Sequence, residues 1–172
     1  MISAEKARLI KAVILDVDGV LTDARVGYGG PELIKFFHYR DGHWMKLALR
    51  AGIMVGLLSG RSSRANRERA SELGLTFVRE DVHDKLAEFE KILQEYGLKP
   101  EECLYMGDDV IDLPVMKRVG IPVAVADAVP ELDEAAIYRT TAPGGHGAVC
   151  ETMRLLLKAR GDLDGLLERY RR

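Results

Sequence analysis

KAVILDVDGVLTD, residues 11–23, is the stretch that decides how this chain folds. From Lys11 to Val17 it is a nearly unbroken apolar run that ends in carboxylates, as a short strand buried on both faces would read. Ile53–Leu58, Leu75–Val78, Cys103–Met106 and Val123–Ala126 repeat the pattern downstream. Helical stretches alternate with these runs. Asp41 is placed to cap a helix to Leu49, with Trp44, Met45, Ala48 and Leu49 on its apolar side and Gly52 as its stop. Ser62–Leu73, Asp84–Tyr96 and Val110–Val119 read as further helices, and a last one begins near Ala148 after the turn Gly144, Gly145, His146, Gly147.

Strand–helix alternation of this kind predicts an α/β fold, a Rossmann-like parallel sheet with helices on both faces. Two segments break the rhythm. Between Ala24 and Tyr39, two β-like arms flank Gly29, Gly30 and Pro31, which predicts a small projecting β-hairpin at about 24–39. After Gly161, Leu163, Leu166, Leu167 and Tyr170 form a stripe at helical spacing, suited to docking on the same domain or on a neighbouring subunit (tail about 161–172). There is no internal repeat and no linker, so residues 1–172 read as a single domain.

The totals narrow the function. The 172 residues suffice for a real core, and 47% apolar composition excludes a disordered chain. A formal charge of -2 gives no electrostatic case for nucleic acid or an anionic membrane. No stretch approaches the ~20 apolar residues of a membrane span. The start, MISAEKARLIK, lacks the apolar core of a signal peptide. Cys103 and Cys150 have neither zinc nor CxxC spacing, and Cys103 reads as a small core residue. A reducing, cytoplasmic setting is expected.

In parallel sheets of this type the ligand sits outside the carboxyl ends of the strands. Asp16 and Asp18 follow the first strand, Ser59 and Gly60 the second, and Asp108 and Asp109 the fourth, while Lys85 opens the helix between the third and fourth. All should converge on one edge. Carboxylate oxygens suit magnesium, which bridges protein to phosphate. One carboxylate can attack phosphorus and form an acyl phosphate. A second can protonate the leaving oxygen and later take a proton from water. A hydroxyl and an ammonium can hold the phosphoryl oxygens. Each piece alone has a plainer reading. Asp-x-Asp-Gly fits an Asx turn, Ser59-Gly60 a simple turn, Lys85 a solvated helix start, and Asp108-Asp109 a helix cap. Their combination at strand ends is what points to a site.

Asp16-Val17-Asp18-Gly19-Val20-Leu21-Thr22-Asp23 resembles the first motif of the haloacid dehalogenase superfamily. Ser59, Lys85 and Gly107-Asp108-Asp109-Val110-Ile111-Asp112 resemble its second, third and fourth motifs, and the likeness runs from about Lys11 to about Lys158. The absence of a cap domain, the early hairpin, Arg40-Asp41-Gly42, Pro122–Ala128 and Gly144–Val149 resemble a capless subclass. The resemblance implies a Mg2+-dependent phosphomonoesterase that hydrolyses 3-deoxy-D-manno-octulosonate 8-phosphate through an aspartyl-phosphate. A nine-carbon keto-deoxy-sugar 9-phosphate is the alternative substrate.

By the same resemblance, Asp16 is the nucleophile and a metal ligand. Asp18 is the general acid and base, and its backbone carbonyl binds the metal. Asp108 is a direct ligand, with Asp109 and Asp112 behind it holding metal waters or Lys85. Ser59 and nearby amides, Gly60 among them, bind phosphoryl oxygens, and Lys85 ties Asp16 to the phosphate. Arg61 is placed to grip a sugar carboxylate or the phosphate in bidentate fashion. Arg40 and Arg64 are further substrate-binding candidates. A homotetramer covering its own open sites, and a role in lipopolysaccharide biosynthesis in the cytoplasm, are also implied. The chain departs from the pattern at His146, where many relatives carry arginine, and at His38, His43 and Trp44.

Two non-enzymatic readings compete. A receiver domain also uses strand-end carboxylates, a hydroxyl, a lysine and magnesium, but its adjacent acidic pair comes early. Here the adjacent pair is late. The other is a phosphatase-like domain kept for assembly.

Overall fold

The computed structural model describes residues 2–27 and 33–171. Six strands form one parallel sheet: β1 (Ala12–Leu15), β2 (Met54–Leu58), β3 (Phe77–Arg79), β4 (Cys103–Gly107), β5 (Ile121–Ala124) and β6 (Tyr138–Arg139). Their order is β3-β2-β1-β4-β5-β6. That is the Rossmann-like order, whereas the flavodoxin-like order 2-1-3-4-5 of receiver domains places its first strand differently. β1 lies between β2 and β4, so the chain reverses direction across the sheet around β1. Ligand sites of such sheets form at this crossing.

Helices cover both faces: α1 (Ala4–Leu9), α2 (Tyr39–Arg50), α3 (Arg64–Leu73), α4 (Lys85–Tyr96), α5 (Leu113–Met116), α6 (Ala148–Arg160) and α7 (Leu163–Leu167). The pleat of β1 divides the core in two. Val13 and Leu15 pack with Met45, Ala48 and Leu156 of α2 and α6. Ala12 and Ile14 face Phe89, Ile92, Val115 and Met116 of α4 and α5. All four β1 residues are fully buried. Each large apolar side chain so placed stabilises the fold by about 1.5–3 kcal/mol relative to exposure. This two-sided burial is why the run carries no polar alternation.

Several boundaries differ from the sequence expectation for identifiable reasons. Asp41 does not cap its own helix. It lies inside α2, which begins after His38, and its buried carboxylate accepts the Cys150 amide at the start of α6, 2.7 Å away. Val110–Val119 is not one helix. A 3-10 turn over Val110–Asp112 leads into α5, where Pro114 sets a new start. α1 and the two-residue β6 are additional elements.

The hairpin arms are joined by an antiparallel bridge between Gly27 and Ile34. The expected Gly29, Gly30, Pro31 turn lies outside the described residues. The tail docks on its own chain. Leu163 and Leu166 pack against the core, and the Tyr170 hydroxyl accepts from Arg50 at 2.9 Å. At the carboxyl edge, the connections after β2, β3 and β4 are short turns, too short to hold a cap domain.

Candidate active site

Asp16 is the first residue beyond β1, and its amide still donates to the Met106 carbonyl as the ladder runs out, at 3.1 Å. Its carboxylate is therefore fixed by the sheet itself. Across the switch point, Asp108 follows β4, and Lys85 enters from the first position of α4, a helix capped by Asp84. The Lys85 ammonium donates to Asp16 Oδ1 at 2.6 Å and to Asp112 Oδ1 at 2.6 Å. All three side chains are almost wholly buried.

Asp112 is saturated. Its Oδ1 also accepts the Tyr105 hydroxyl at 2.6 Å, and its Oδ2 accepts the backbone amides of Asp108 and Asp109 at 3.0 and 3.3 Å. It thus anchors Lys85 on one side and shapes the loop that carries Asp108 on the other. Asp109 is exposed and caps the following turn through the Val110 amide at 2.7 Å.

Asp16, Asp108 and Asp112 each present a carboxylate oxygen, all within 4.8 Å of one another. So many acids cannot share a dry site without a counter-charge. Burial pushes Asp16 up to about 7, against the pull of Lys85. Burial, helped by Asp16 and Asp112, pushes Asp108 up to about 8. Burial also works against the Lys85 ammonium, but Asp16 and Asp112 together overcome it and raise its pKa, so it stays charged. One ammonium does not neutralise three carboxylates. Hard oxygen donors with surplus negative charge fit a small divalent cation. Because both oxygens of Asp112 are taken, Asp16 and Asp108 are the carboxylates left to face one.

Two glycines make the approach possible. Gly19 has φ +103°, and a Cβ there would collide with the Asp108 carboxylate. A Cβ at Gly144 would collide with the Gly19 carbonyl, and the Gly145 amide donates to Val20 at 3.0 Å. The Gly144-Gly145 strap is itself held by Asp127, which accepts the Gly144 amide at 2.9 Å. The segment before α6 therefore presses the first-motif loop toward Asp108.

A cavity of about 250 Å³ opens over this cluster. Asp16, Asp18, Ser59, Gly60, Arg61, Asp108 and Asp109 line it, with Ala24 and Val26 of the first hairpin arm and Ile111 at its rim. The Ser59 hydroxyl is buried and closes its own turn, donating to the Arg61 carbonyl at 3.0 Å and accepting the Arg61 amide at 3.3 Å. Arg61 is exposed at the mouth.

The other arginines lie elsewhere. Arg64 pairs with Glu68 at 2.6 Å on α3. Arg40 lines a separate cavity of about 710 Å³ beside α6 and the tail. His146 is exposed. Three residues carry contacts that the motifs do not reveal. Tyr105 and Gly144 are described above. Lys35, from the second hairpin arm, donates to Asp18 Oδ1 at 2.7 Å. Their sequence signals are faint: a tyrosine inside an apolar strand, a glycine pair, and a lysine between two apolar residues.

With this geometry in view, the comparisons are specific. A family model described as haloacid dehalogenase-like hydrolase matches residues 78–150. The chain is 45% identical over 161 residues to the 3-deoxy-D-manno-octulosonate 8-phosphate phosphatase of Escherichia coli K12, covering 92% of this chain and 85% of that protein. A probable YrbI-family phosphatase from Pseudomonas syringae superposes with TM-score 0.95 at 37% identity, covering 98% of this chain and 97% of the other. The Moraxella catarrhalis 3-deoxy-D-manno-octulosonate 8-phosphate phosphatase, crystallised with magnesium, phosphate and the sugar acid, superposes with TM-score 0.94 at 32% identity, covering 97% of each chain. Sheet order, strand-end carboxylates and overall likeness agree: the chain belongs to the haloacid dehalogenase-like hydrolases, in the family of the 3-deoxy-D-manno-octulosonate 8-phosphate phosphatases.

Proposed function

We propose that this chain is a magnesium-dependent phosphatase that hydrolyses 3-deoxy-D-manno-octulosonate 8-phosphate to the free sugar acid and phosphate. The observation that carries the reading is the buried Lys85 ammonium holding Asp16 Oδ1 at 2.6 Å, with Asp108 beside it, at the floor of a pocket that Asp18 and Arg61 share. Magnesium, held by the Asp16 and Asp108 carboxylates and the Asp18 backbone carbonyl, would draw charge from the phosphoryl oxygens and keep Asp16 ionised.

Asp16 attacks phosphorus in line, and the bond between phosphorus and the sugar oxygen breaks as the acyl phosphate forms. Asp18 gives its proton to the departing sugar oxygen. Water then attacks phosphorus, Asp18 takes its proton, and Asp16 is released with inorganic phosphate. Ser59 and the neighbouring amides hold the phosphoryl oxygens through both steps, and Lys85 offsets their charge. Arg61, exposed at the mouth, grips the substrate carboxylate. Asp109 and Asp112 act from behind, Asp112 by holding Lys85 in place.

The assembly we propose is a homotetramer, supported by the apolar side chains that the hairpin and the start of α2 leave in water. Phe36 is 80% exposed, and Val26, Ile34 and Tyr39 accompany it. Such a patch beside an uncapped pocket fits contact with another copy. No described helix is long and apolar enough to cross a membrane, and the reaction belongs in the cytoplasm, supplying a sugar acid for lipopolysaccharide.

The decisive test is kcat/KM across phosphate monoesters, with eight- and nine-carbon keto-deoxy acids compared directly. The eight-carbon ester is expected to lead by at least about tenfold. A lead for the nine-carbon ester overturns the substrate assignment, and no Mg2+-dependent turnover of any ester overturns the whole reading.

A further inference from the structure

The arm of the hairpin that ends at α2 alternates. Ile34 and Phe36 turn outward, 56% and 80% exposed, while the Lys35 side chain between them is only 6% exposed. A lysine is among the residues least often buried, and when it is, it is paired. Among the described residues, Lys35 has a single hydrogen-bond partner, Asp18 Oδ1, at 2.7 Å. Asp18 lies on a loop and is 31% exposed, and its Oδ2 makes no hydrogen bond among the described residues while the side chain lines the pocket. The backbone of the first-motif loop is clamped from behind by Gly144 and Gly145. Among the described side chains, only Lys35 holds the Asp18 carboxylate by a hydrogen bond.

We propose that Lys35 is a positioning residue: by holding Asp18 Oδ1 it aims Asp18 Oδ2 into the pocket as the atom that gives and takes the proton. The inference rests on the phosphatase reading above and adds a residue to it. A protonated carboxyl group still accepts through its carbonyl oxygen, so the Lys35 bond to Oδ1 persists when Oδ2 carries the proton. In the first step the Oδ2–H bond breaks and an O–H bond forms on the departing alcohol as its bond to phosphorus is lost. In the second, Oδ2 receives the proton of the attacking water. Lys35 itself exchanges no proton. Without it, the Asp18 side chain is free to rotate, and the proton donor is no longer held at the leaving oxygen.

The test is leaving-group dependence. kcat/KM reports events up to departure of the alcohol. A 4-nitrophenyl oxygen leaves without help from an acid, a phenyl oxygen benefits from one, and a sugar alkoxide needs one. The two aryl esters also share shape and charge and lack the sugar carboxylate. Lys35→Met is expected to lower kcat/KM for the sugar-acid phosphate by about tenfold or more, since a positioned general acid contributes about 10²–10⁴-fold. It should lower phenyl phosphate less, and leave 4-nitrophenyl phosphate within about twofold of wild type. Retained 4-nitrophenyl turnover also shows that the variant is folded. An equal fall on all three esters, or unfolding of the variant, shows a structural role and overturns the proposal. So does a fall confined to the sugar acid with the two aryl esters unchanged, which makes Lys35 a substrate contact. No change on any ester overturns it as well. If wild-type enzyme turns over none of the three, it is the phosphatase reading that fails, before Lys35 is tested.

Discussion

The buried carboxylate cluster and the hairpin beside it line one pocket, yet they are built by opposite rules. Asp16, Lys85, Asp112 and Tyr105 are locked by short bonds inside a dry core, on residues that continue or directly follow strands and open a helix. The hairpin has one backbone bridge among its described residues and exposes its aromatic and aliphatic side chains. The cluster closes its bonds within one chain, while the rim leaves apolar side chains in water. Apart from Lys35, which holds Asp18, changes at the rim should therefore touch substrate choice more than the chemical step.

The largest effect belongs to Asp16→Asn. An amide cannot form the acyl phosphate and is a poor ligand for a divalent ion. Turnover of the sugar-acid phosphate should fall by at least about 10⁴-fold, because loss of a nucleophile removes a step rather than a contact. Rapid-quench experiments should find no phosphoenzyme. Measurable burst formation in this variant would move the nucleophile elsewhere in the cluster and break the contrast at its root.

Next comes Lys85→Met, which leaves Asp16 and Asp112 buried without their cation. Breaking a buried pair by removing one partner costs about 3–5 kcal/mol. For a chain of this length each kcal/mol shifts Tm by roughly 2–4 °C, so a fall of roughly 10 °C in EDTA is expected. Substitution of the exposed Glu68, which pairs with Arg64 on α3, should change stability by no more than about 1 kcal/mol, or roughly 2–4 °C in Tm. Similar losses at the two sites would erase the difference between core and surface pairing.

The same contrast explains what could be read from the sequence. The strands were legible because two-sided burial leaves an apolar run, and the site because each run stops at a polar residue that chemistry can use. Asp16, Ser59 and Asp108 each directly follow such a run, and Lys85 opens the helix after the third strand. The role of Asp41 was not legible. Its position at a helix start fits a local cap, but its bond goes to Cys150, 109 residues away, once α2 and α6 pack. Tertiary contact overrode local preference. Lys35 was invisible for a related reason, since its partner depends on where the hairpin falls. In the acidic loop, two competing side-chain caps and Pro114 replaced one regular helix with two short pieces.

Magnesium should sharpen the comparison through pH. The folded-state pKa values of Asp16 and Asp108, about 7 and about 8, lie above the usual 3.8. Between those limits the metal-free folded chain holds protons that the unfolded chain has lost. Its stability from this source is full below the ordinary carboxylate range and falls as pH rises through 7 and 8. Magnesium takes the place of those protons, so its stabilisation must grow over the same window. A hundredfold excess over Kd contributes about 2.7 kcal/mol, or roughly 5–10 °C in Tm. That increment is expected at pH 8.5 and should nearly vanish at pH 5. An increment that stays constant across pH would place the ion away from these two carboxylates.

The smallest effect, and the one most particular to the rim, is at Arg61. It is exposed at the pocket mouth and forms no ion pair with the described residues, so its removal leaves the buried cluster intact. Loss of one charge-assisted bond to a substrate carboxylate amounts to about 1.5–3 kcal/mol when fully formed, and less at a wet rim. Arg61→Ala should therefore raise KM for the sugar-acid phosphate by about tenfold while kcat changes little, because the bond is made equally in the ground and transition states. With 4-nitrophenyl phosphate, which has no carboxylate, KM should move by less than about threefold. Equal changes for both esters would assign Arg61 to the phosphoryl group, and substrate choice would then have to come from the hairpin or from a neighbouring copy.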